Sequence, residues 1–223
     1  MTAELRIGTG ASPFDLSSFD AVIFDCDGVV SDSEPASVQG WIAAVGSHGL
    51  EVDEAEMGSF IGQTERDLAN HYAPRTGVTV DEMMASARRA FLEIVDRGGV
   101  RAFPDAIAIV EHVASLGMPY GMGSNSPRWR LDSVLRGTGM VDSFEVTVAG
   151  DEVSLPKPAP DVYLAVARSL GVSPERSVVI EDSPTGIRAA QAAGCTVVAV
   201  HRGAVDRADL AIADLVVDGL WPD

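Results

Sequence analysis

Apolar and polar residues follow two different periods along this chain. Near the amino terminus and again from residue 103 onward, short apolar runs end abruptly in charged or small residues, as Ala21–Phe24 ends at Asp25. Such runs predict buried parallel strands. Further strands are predicted near residues 119–124, 145–148, 177–181 and 195–200. Helical patterns separate these strands, and the alternation predicts a parallel α/β core.

The stretch from residue 32 to residue 101 has helical spacing and no strand signal. Its apolar residues recur at intervals typical of one helix face: Met83, Met84, Ala87, Ala90, Phe91, Ile94 and Val95. We therefore expect a helical insertion over residues 32–101, a discontinuous core over residues 19–31 and 102–223, and a loose segment over residues 1–18. A pair of glycines at the second crossing provides backbone freedom for a hinge, so the insertion is expected to act as a cap.

Two carboxylates follow the first strand. Asp25 and Asp27 are one residue apart, and Gly28 comes next. Because open α/β sheets bind ligands at the carboxyl ends of their strands, both acids are expected at a functional edge. They repel each other there unless a cation or a proton offsets their charge, and Mg²⁺ prefers such oxygen ligands. An Asx-turn at a strand end fits the same residues, so this pattern alone leaves both interpretations open.

Small polar residues follow a second predicted strand. Ser124 and Asn125 end the apolar stretch, and Ser126 and Pro127 fit the N-cap and the first position of the next helix. Backbone amides at a helix start bind phosphate groups readily. This segment therefore predicts a phosphate-binding loop.

A third strand end carries two more acids. Glu181 and Asp182 follow the apolar run at 177–180, Ser183 and Pro184 fit an N-cap and a first helical position, and Gly194 fits the end of that helix. Parallel strands would place these acids at the same edge as the first pair, so they are candidates for the same cation site.

Lys157 is the single lysine among the sixteen basic residues, and the other fifteen are arginines. It lies in a proline-rich loop before a predicted helix. An ammonium is a compact point charge that can neutralise a phosphoryl oxygen or a carboxylate without the geometry that a planar guanidinium requires. Taken by itself, a single lysine in a loop favours a solvated surface residue, and only the other motifs favour a functional one.

The composition narrows the class of ligand. The chain has 223 residues and a formal net charge of −17, with no basic stripe that could bind nucleic acid or an anionic membrane surface. We see no signal peptide and no apolar run of eighteen residues. Cys26 and Cys195 lie in apolar contexts and are expected to be buried thiols in a reducing compartment, which predicts a cytoplasmic protein.

The four strand-end and loop patterns together resemble a known family. Asp25-Cys26-Asp27-Gly28, Ser124-Asn125, Lys157-Pro158 and Glu181-Asp182-Ser183 resemble, in order, the signatures of haloacid-dehalogenase-like hydrolases. The similarity is to the branch of small phosphatases and β-phosphoglucomutase-like enzymes with a helical cap, and it extends from Phe19 onward. It implies a Rossmann-like parallel sheet with helices on both faces and an all-helical cap inserted after the first strand.

The resemblance also implies roles for individual residues. Asp25 would be the nucleophile that forms an aspartyl phosphate, and Asp27 the general acid and base. Ser124, Asn125 and Lys157 would bind phosphate, and Asp25, the Asp27 backbone carbonyl, Glu181 and Asp182 would bind Mg²⁺. The chemistry is consistent, because a metal-bound carboxylate stays ionised while the second acid can carry a proton.

The implied cap offers candidates for substrate contacts. Residues 62–67 resemble the cap loop of the family, so Thr64 and Arg66 are candidates, with helix capping as the alternative for Thr64. Trp41 is a candidate too, although an aromatic on a helix face commonly packs in a core. Ser37 stands where β-phosphoglucomutase carries a cap histidine, which argues against a mutase.

The function expected from these observations is a Mg²⁺-dependent phosphomonoesterase acting on a small phosphate ester, such as a sugar or polyol phosphate. Two alternatives are a sugar phosphomutase and a non-catalytic protein that binds a phosphorylated metabolite. No pattern in the chain indicates an oligomeric state.

Overall fold

A computed structural model of the protein describes residue 14 and residues 16–60 and 64–221. The chain divides into two compact units. The first unit consists of two stretches of the chain, one up to Asp32 and one from Ala102 onward. The second unit is Ser33–Arg101. The α/β class that the alternation predicted is confirmed by the first unit.

The described residues form eight strands and nine α-helices. The strands are β1 (Ala21–Phe24), β2 (Ser31–Asp32), β3 (Arg101–Ala102), β4 (Tyr120–Gly123), β5 (Thr147–Val148), β6 (Ser177–Glu181), β7 (Thr196–Val200) and β8 (Leu215–Val217). The helices are α1 (Glu34–Ser47), α2 (Glu54–Gly58), α3 (Glu65–Thr76), α4 (Val80–Asp96), α5 (Pro104–Ser115), α6 (Arg128–Thr138), α7 (Asp161–Leu170), α8 (Pro184–Ala193) and α9 (Arg207–Leu210). Short 3₁₀ turns are Leu16–Ser18, Val141–Ser143, Gly150–Glu152 and Pro174–Arg176.

Six strands form one parallel sheet in the order β5-β4-β1-β6-β7-β8. In the centre of the sheet, Phe24 of β1 pairs with Met122 of β4 and with Ile180 of β6. The three central strands therefore end within one residue of one another. The residues that follow them meet at one edge of the sheet, as expected for a parallel arrangement.

The sheet is buried on both faces, which explains why its central strands are continuously apolar. All four residues of β1 have no exposed surface. Ile23 and Val179 pack in a cluster with residues of α7 and α8, and the ring of Phe24 makes an edge contact with Phe144, with centroids 5.8 Å apart. This packing fixes the strand ends that carry the polar residues.

A partly buried ion pair anchors the loop that follows β1. Arg202 donates to both carboxylate oxygens of Asp105 at 2.8 and 3.0 Å and to the carbonyl of Val29 at 3.4 Å, and its guanidinium lies 4.1 Å from the Phe103 ring centroid. Asp105 also accepts a hydrogen bond from the backbone of Leu220. The loop after Asp27 is thereby tied to α5 and to the carboxyl-terminal segment.

The second unit is helical and has its own core. Trp41 of α1, Tyr72 of α3 and Met83 of α4 lie in this core, and Trp41 is 6% exposed. A Cβ on Gly40 would stand 3.3 Å from the backbone nitrogen of Phe91, so α1 and α4 approach closely there. The burial of Trp41 favours the packing interpretation of this residue. The role of the unit as a cap stays a prediction.

The expectation of buried thiols was met, and three short strands were missed. Cys26 and Cys195 are buried free thiols, and none of the described helices is long and apolar enough to cross a membrane. The pattern did not predict β8, whose first two residues are only partly buried, or the two-residue pair of β2 and β3. A strand of two residues, or one that is only partly buried, has too few apolar positions to produce a recognisable pattern in the sequence.

Candidate active site

The candidate site lies at the carboxyl edge of the sheet, within the first unit. Asp25 follows β1, Glu181 ends β6 and Asp182 comes next, and Lys157 comes from the loop before α7. Side-chain oxygens of the three acids all lie within 4.8 Å of one another. The structure thus brings together four residues that the sequence placed at separate strand ends and loops.

Lys157 is at the centre of this cluster. Its ammonium nitrogen lies 2.5 Å from Oδ1 of Asp25 and 2.8 Å from Oε1 of Glu181, and its side chain is 3% exposed. It also donates to the carbonyl of Gly123 at 3.1 Å and to the hydroxyl of Tyr163 at 2.7 Å. The solvated surface interpretation of Lys157 is therefore wrong.

Glu181 is buried and accepts hydrogen bonds on both carboxylate oxygens. Oε1 accepts from Lys157 and from the Tyr163 hydroxyl at 2.7 Å. Oε2 accepts from the backbone nitrogens of Asp182 and Ser183 at 2.9 and 3.0 Å and from the Ser183 hydroxyl at 3.0 Å. These backbone donors belong to the start of α8, where they favour a negative charge.

The start of α8 is as the sequence predicted. Ser183 is the N-cap and accepts a hydrogen bond from the backbone nitrogen of Gly186, Pro184 is the first helical residue, and Gly194 ends the helix in the left-handed region. The same Ser183 hydroxyl that caps the helix donates to Glu181, so helix capping and placement of the carboxylate depend on one side chain.

Two glycines leave the room that the carboxylates occupy. Gly28 has a φ of +82°, and a Cβ there would stand 1.8 Å from Oδ2 of Asp182. A Cβ on Gly186 would stand 1.5 Å from Oε1 of Glu181. The glycine after Asp27 therefore serves a steric purpose as well as a conformational one.

The charges in the cluster do not balance. Three carboxylates surround one ammonium, and burial and the neighbouring carboxylates raise the pKa of Asp25 to about 8 and that of Asp182 well above its usual range. Burial opposes the charge of Lys157, but the adjacent Asp25 and Glu181 outweigh it and raise its pKa. A cluster of hard oxygen atoms with excess negative charge fits a divalent cation such as Mg²⁺, which would take the place of protons.

Asp27 lies apart from this cluster. Its Oδ2 accepts a hydrogen bond of 2.8 Å from the hydroxyl of Ser126, and its Oδ1 is 3.9 Å from Nη2 of Arg130. The side chain is about one-third exposed. Asp25 and Asp27 therefore occupy different environments, and a metal contact through the Asp27 backbone carbonyl stays a prediction.

The predicted cap of α6 is wrong by one residue. Pro127 is the N-cap and the helix begins at Arg128, whereas Ser126 was expected to be the cap. Ser126 makes other contacts: its backbone nitrogen donates to the hydroxyl of Ser124, its carbonyl accepts from Gly150, and its own hydroxyl donates to Asp27. The bonds to Asp27 and Gly150 join Ser126 to distant parts of the chain and compete with local capping, and the sequence pattern does not reveal them.

Asn125 contacts the lysine loop. Its side-chain oxygen accepts from the backbone nitrogen of Lys157 at 2.8 Å, and its side-chain nitrogen donates to the Lys157 carbonyl at 3.4 Å. Ser124 is buried beside it. The amide of Asn125 thus fixes the backbone of Lys157, a contact that sequence reasoning missed.

The candidates of the second unit have local partners. Thr64 caps α3: its hydroxyl donates to the carboxylate of Asp67 and accepts from the Asp67 backbone. Arg66 is 63% exposed and lies 4.0 Å from Asp81. The first two residues of the predicted cap loop, 62 and 63, lie outside the described residues. Substrate contacts by Trp41, Thr64 and Arg66 stay predictions.

Comparison with known proteins identifies the family. The model of the haloacid dehalogenase-like hydrolases matches residues 22–200. The chain belongs to this family, as its four sequence signatures indicated.

Individual relatives cover nearly the whole chain. Hexitol phosphatase A of Escherichia coli (strain K12) is 32% identical over 200 residues, covering 89% of this chain and 90% of that protein. Validoxylamine A 7'-phosphate phosphatase of Streptomyces hygroscopicus subsp. limoneus is 29% identical over 209 residues, covering 92% and 97%. A Thermotoga maritima structure, provisionally named a β-phosphoglucomutase, has a TM-score of 0.76 and 28% identity, covering 89% and 94%.

We predict that Mg²⁺ stabilises the protein more at about pH 8 than at about pH 5. The pKa values of Asp25 and Asp182 are raised above the ordinary 3.8, so the folded metal-free protein holds protons that the unfolded chain releases. The contribution of these two groups to the stability of the metal-free protein is therefore greatest at low pH and is lost as the pH rises toward about 8. Thermal unfolding with Mg²⁺ and with a chelator measures the difference.

Asp182→Asn should remove most of this response to Mg²⁺. Asp132→Asn, at an exposed position of α6, should keep it because Asp132 lies outside the carboxylate cluster. An equal increase in melting temperature at both pH values would contradict the assignment of a proton-competing cation to this cluster.

We also predict that Gly186→Ala destabilises the protein by about 1–3 kcal/mol, because the new methyl group overlaps a carboxylate that five donors hold in place. The matched control is Gly46→Ala in α1, where a Cβ meets no atom within 4 Å. That change should stabilise the protein by about 0.5 kcal/mol. Urea unfolding of both variants measures the effects, and equal free energies of unfolding would refute the steric argument.

Proposed function

We propose that the protein is a Mg²⁺-dependent phosphomonoesterase that acts on a small sugar or polyol phosphate. The observation that carries the proposal is the buried contact between Lys157 and Asp25, with Glu181 and Asp182 beside it. It combines a candidate nucleophile, a fixed positive charge and a cation-binding group of acids at one sheet edge. Membership in a family of hydrolases supports the proposal, as do the names of two relatives that are phosphatases.

In the first proposed step, a carboxylate oxygen of Asp25 attacks the phosphorus atom of the ester. Lys157 holds Oδ1 of the same carboxylate, so its orientation is set before the substrate arrives. The bond between phosphorus and the ester oxygen breaks, and its electron pair leaves with that oxygen. Asp27 donates a proton to the leaving oxygen, and the product is an alcohol and an aspartyl phosphate on Asp25.

In the second step, Asp27 is the base. It takes a proton from a water molecule that attacks the same phosphorus, and the bond to Asp25 breaks to release inorganic phosphate and restore the carboxylate. The Ser126 hydroxyl, which donates a hydrogen bond to Asp27, would hold this carboxyl group in place while it exchanges protons. Because the two carboxylates have different surroundings, Asp27 is suited to proton transfer and Asp25 to nucleophilic attack.

The anion-binding part of the proposal rests on three groups. Lys157 would neutralise a phosphoryl oxygen, the Ser124 hydroxyl and nearby backbone N–H groups would donate hydrogen bonds to the other phosphoryl oxygens, and Asn125 would hold the lysine loop. A Mg²⁺ bound by Asp25, Glu181 and Asp182 would supply additional positive charge to the phosphoryl oxygens. Water would be excluded by the proposed cap, Ser33–Arg101.

A sugar phosphomutase is a second candidate, favoured by the Thermotoga maritima relative. A mutase must protect its aspartyl phosphate from water until a second hydroxyl accepts the group. Ser37 occupies the position of the cap histidine, and its hydroxyl donates to the carbonyl of Ser33 at 3.2 Å. A serine cannot supply the titrating control of a histidine, so we favour hydrolysis.

We predict that the protein hydrolyses p-nitrophenyl phosphate with Mg²⁺ and loses this activity in excess chelator. Asp25→Asn should lower kcat by about 10³-fold or more while the protein stays folded, because an amide is not a nucleophile. Asp20→Asn, at the other end of β1 and paired with Arg176 on the surface, is the matched control and should keep normal activity. Activity of Asp25→Asn above a few per cent of wild type would assign the nucleophile to another residue.

We predict further that hydrolysis outpaces isomerisation. With β-glucose 1-phosphate as substrate and no bisphosphate activator, release of inorganic phosphate should exceed formation of glucose 6-phosphate. Both products can be followed in one reaction, and hexitol phosphates assayed in parallel test the proposed substrate class. Faster formation of glucose 6-phosphate would make the mutase the better assignment.

A further inference from the structure

Tyr163 is a buried tyrosine of α7 that touches two charged groups of the cluster. Its hydroxyl lies 2.7 Å from the ammonium nitrogen of Lys157 and 2.7 Å from Oε1 of Glu181. The ammonium also lies 4.6 Å from the centroid of its ring. A buried tyrosine hydroxyl needs a polar partner, and here it has two that carry opposite charges.

The lysine has more acceptors than protons. An ammonium donates three hydrogen bonds, yet Lys157 lies within 3.1 Å of four acceptors: Asp25 Oδ1, Gly123 O, Tyr163 OH and Glu181 Oε1. A phosphoryl oxygen that receives a hydrogen bond from this ammonium must replace at least one of them. Binding of substrate therefore weakens an existing contact of Lys157.

Glu181 is the acceptor for which this loss would be most costly. It is 1% exposed, and a buried carboxylate oxygen without a donor carries a large desolvation penalty. The Tyr163 hydroxyl donates to the same Oε1 that Lys157 contacts. Burial and the nearby carboxylates raise the pKa of Tyr163 well above its usual range, so the hydroxyl keeps the proton that it donates.

We propose that Tyr163 is a positioning residue that holds the carboxylate of Glu181 in place while Lys157 turns toward the phosphoryl group. The inference rests on the proposed function in one respect, that the anion facing Lys157 is a phosphoryl group. The hydroxyl and the ammonium both donate hydrogen bonds to Oε1. Glu181 therefore keeps one donor when the ammonium moves toward the phosphoryl group. In this proposal Tyr163 acts through Glu181 and is assigned no contact with the phosphoryl group or with Mg²⁺.

The test is Tyr163→Phe, which keeps the ring beside the ammonium and removes the hydroxyl. The matched control is Tyr72→Phe, because Tyr72 is equally buried and its hydroxyl also donates to a glutamate, Glu56, at 3.3 Å in the second unit. Calorimetric binding of inorganic phosphate with Mg²⁺ present is measured for both variants, together with kcat and KM for p-nitrophenyl phosphate and the melting temperature.

Tyr163→Phe should weaken phosphate binding and lower kcat/KM by about tenfold each, the usual effect of one hydrogen bond to a charged group. Tyr72→Phe should change both by less than about twofold, whatever its effect on the melting temperature. A loss in Tyr163→Phe that matches the control would show a purely structural role and would overturn the inference.

A double variant shows whether the effect runs through Glu181. If it does, adding Tyr163→Phe to Glu181→Gln should change phosphate affinity by less than about twofold, since the carboxylate that Tyr163 positions is already gone. Full additivity of the two losses would overturn the inference.

The two proposals fail in different ways. A wild-type protein that binds phosphate without hydrolysing any ester would refute the proposed function, and the binding measurements would still decide the role of Tyr163. Normal hydrolysis with unchanged phosphate binding in Tyr163→Phe would refute only the inference. A wild-type protein that binds no phosphate would overturn both.

Discussion

The structure of the candidate site depends on one buried ammonium group. A lysine that is 3% exposed must be paired, and Asp25 and Glu181 supply the pairing from the ends of two neighbouring strands. Burial of such ions is costly unless the geometry and the remaining hydrogen bonds are good. With Asp182 close by, the acids outnumber the lysine, so the same contacts that stabilise the ammonium leave a negative charge for a cation to neutralise.

This arrangement restricts the backbone around it. Glu181 can remain ionised because the start of α8 donates to it, and its pKa is held low, against the effect of burial, by Lys157 and by these donors. The space for the carboxylates is left by Gly28 and Gly186, where any side chain would overlap an acid. Each conformational requirement of the loops thus follows from the charges that the loops must accommodate, and not from the packing of the sheet alone.

The sequence predicted the location of the site better than it predicted the hydrogen bonds within the site. Buried parallel strands are continuously apolar, so the polar residues after them are conspicuous, and a parallel register brings Asp25 and Glu181 together without further information. Hydrogen bonds between distant loops leave no comparable period. The bond from Ser126 to Asp27 joins residues 99 positions apart, and Tyr163 lies among apolar residues of α7 as a core aromatic would. A buried tyrosine on an apolar helix face, six positions after the lysine, was the available signal.

The geometry of the Lys157 ammonium explains why a chain whose other basic residues are all arginines has a lysine at this position. Four acceptors converge on one nitrogen atom, from a carboxylate, a carbonyl, a hydroxyl and a second carboxylate. A guanidinium spreads its donors over a plane and could not satisfy acceptors that meet at a single point. Because the ammonium has fewer protons than acceptors, its contacts are exchangeable, and an incoming anion can replace one without leaving the site unpaired. The protein has a net charge of −17, which repels anions. The Lys157 ammonium and a bound metal ion would together provide the local positive charge that an anionic substrate needs in order to bind.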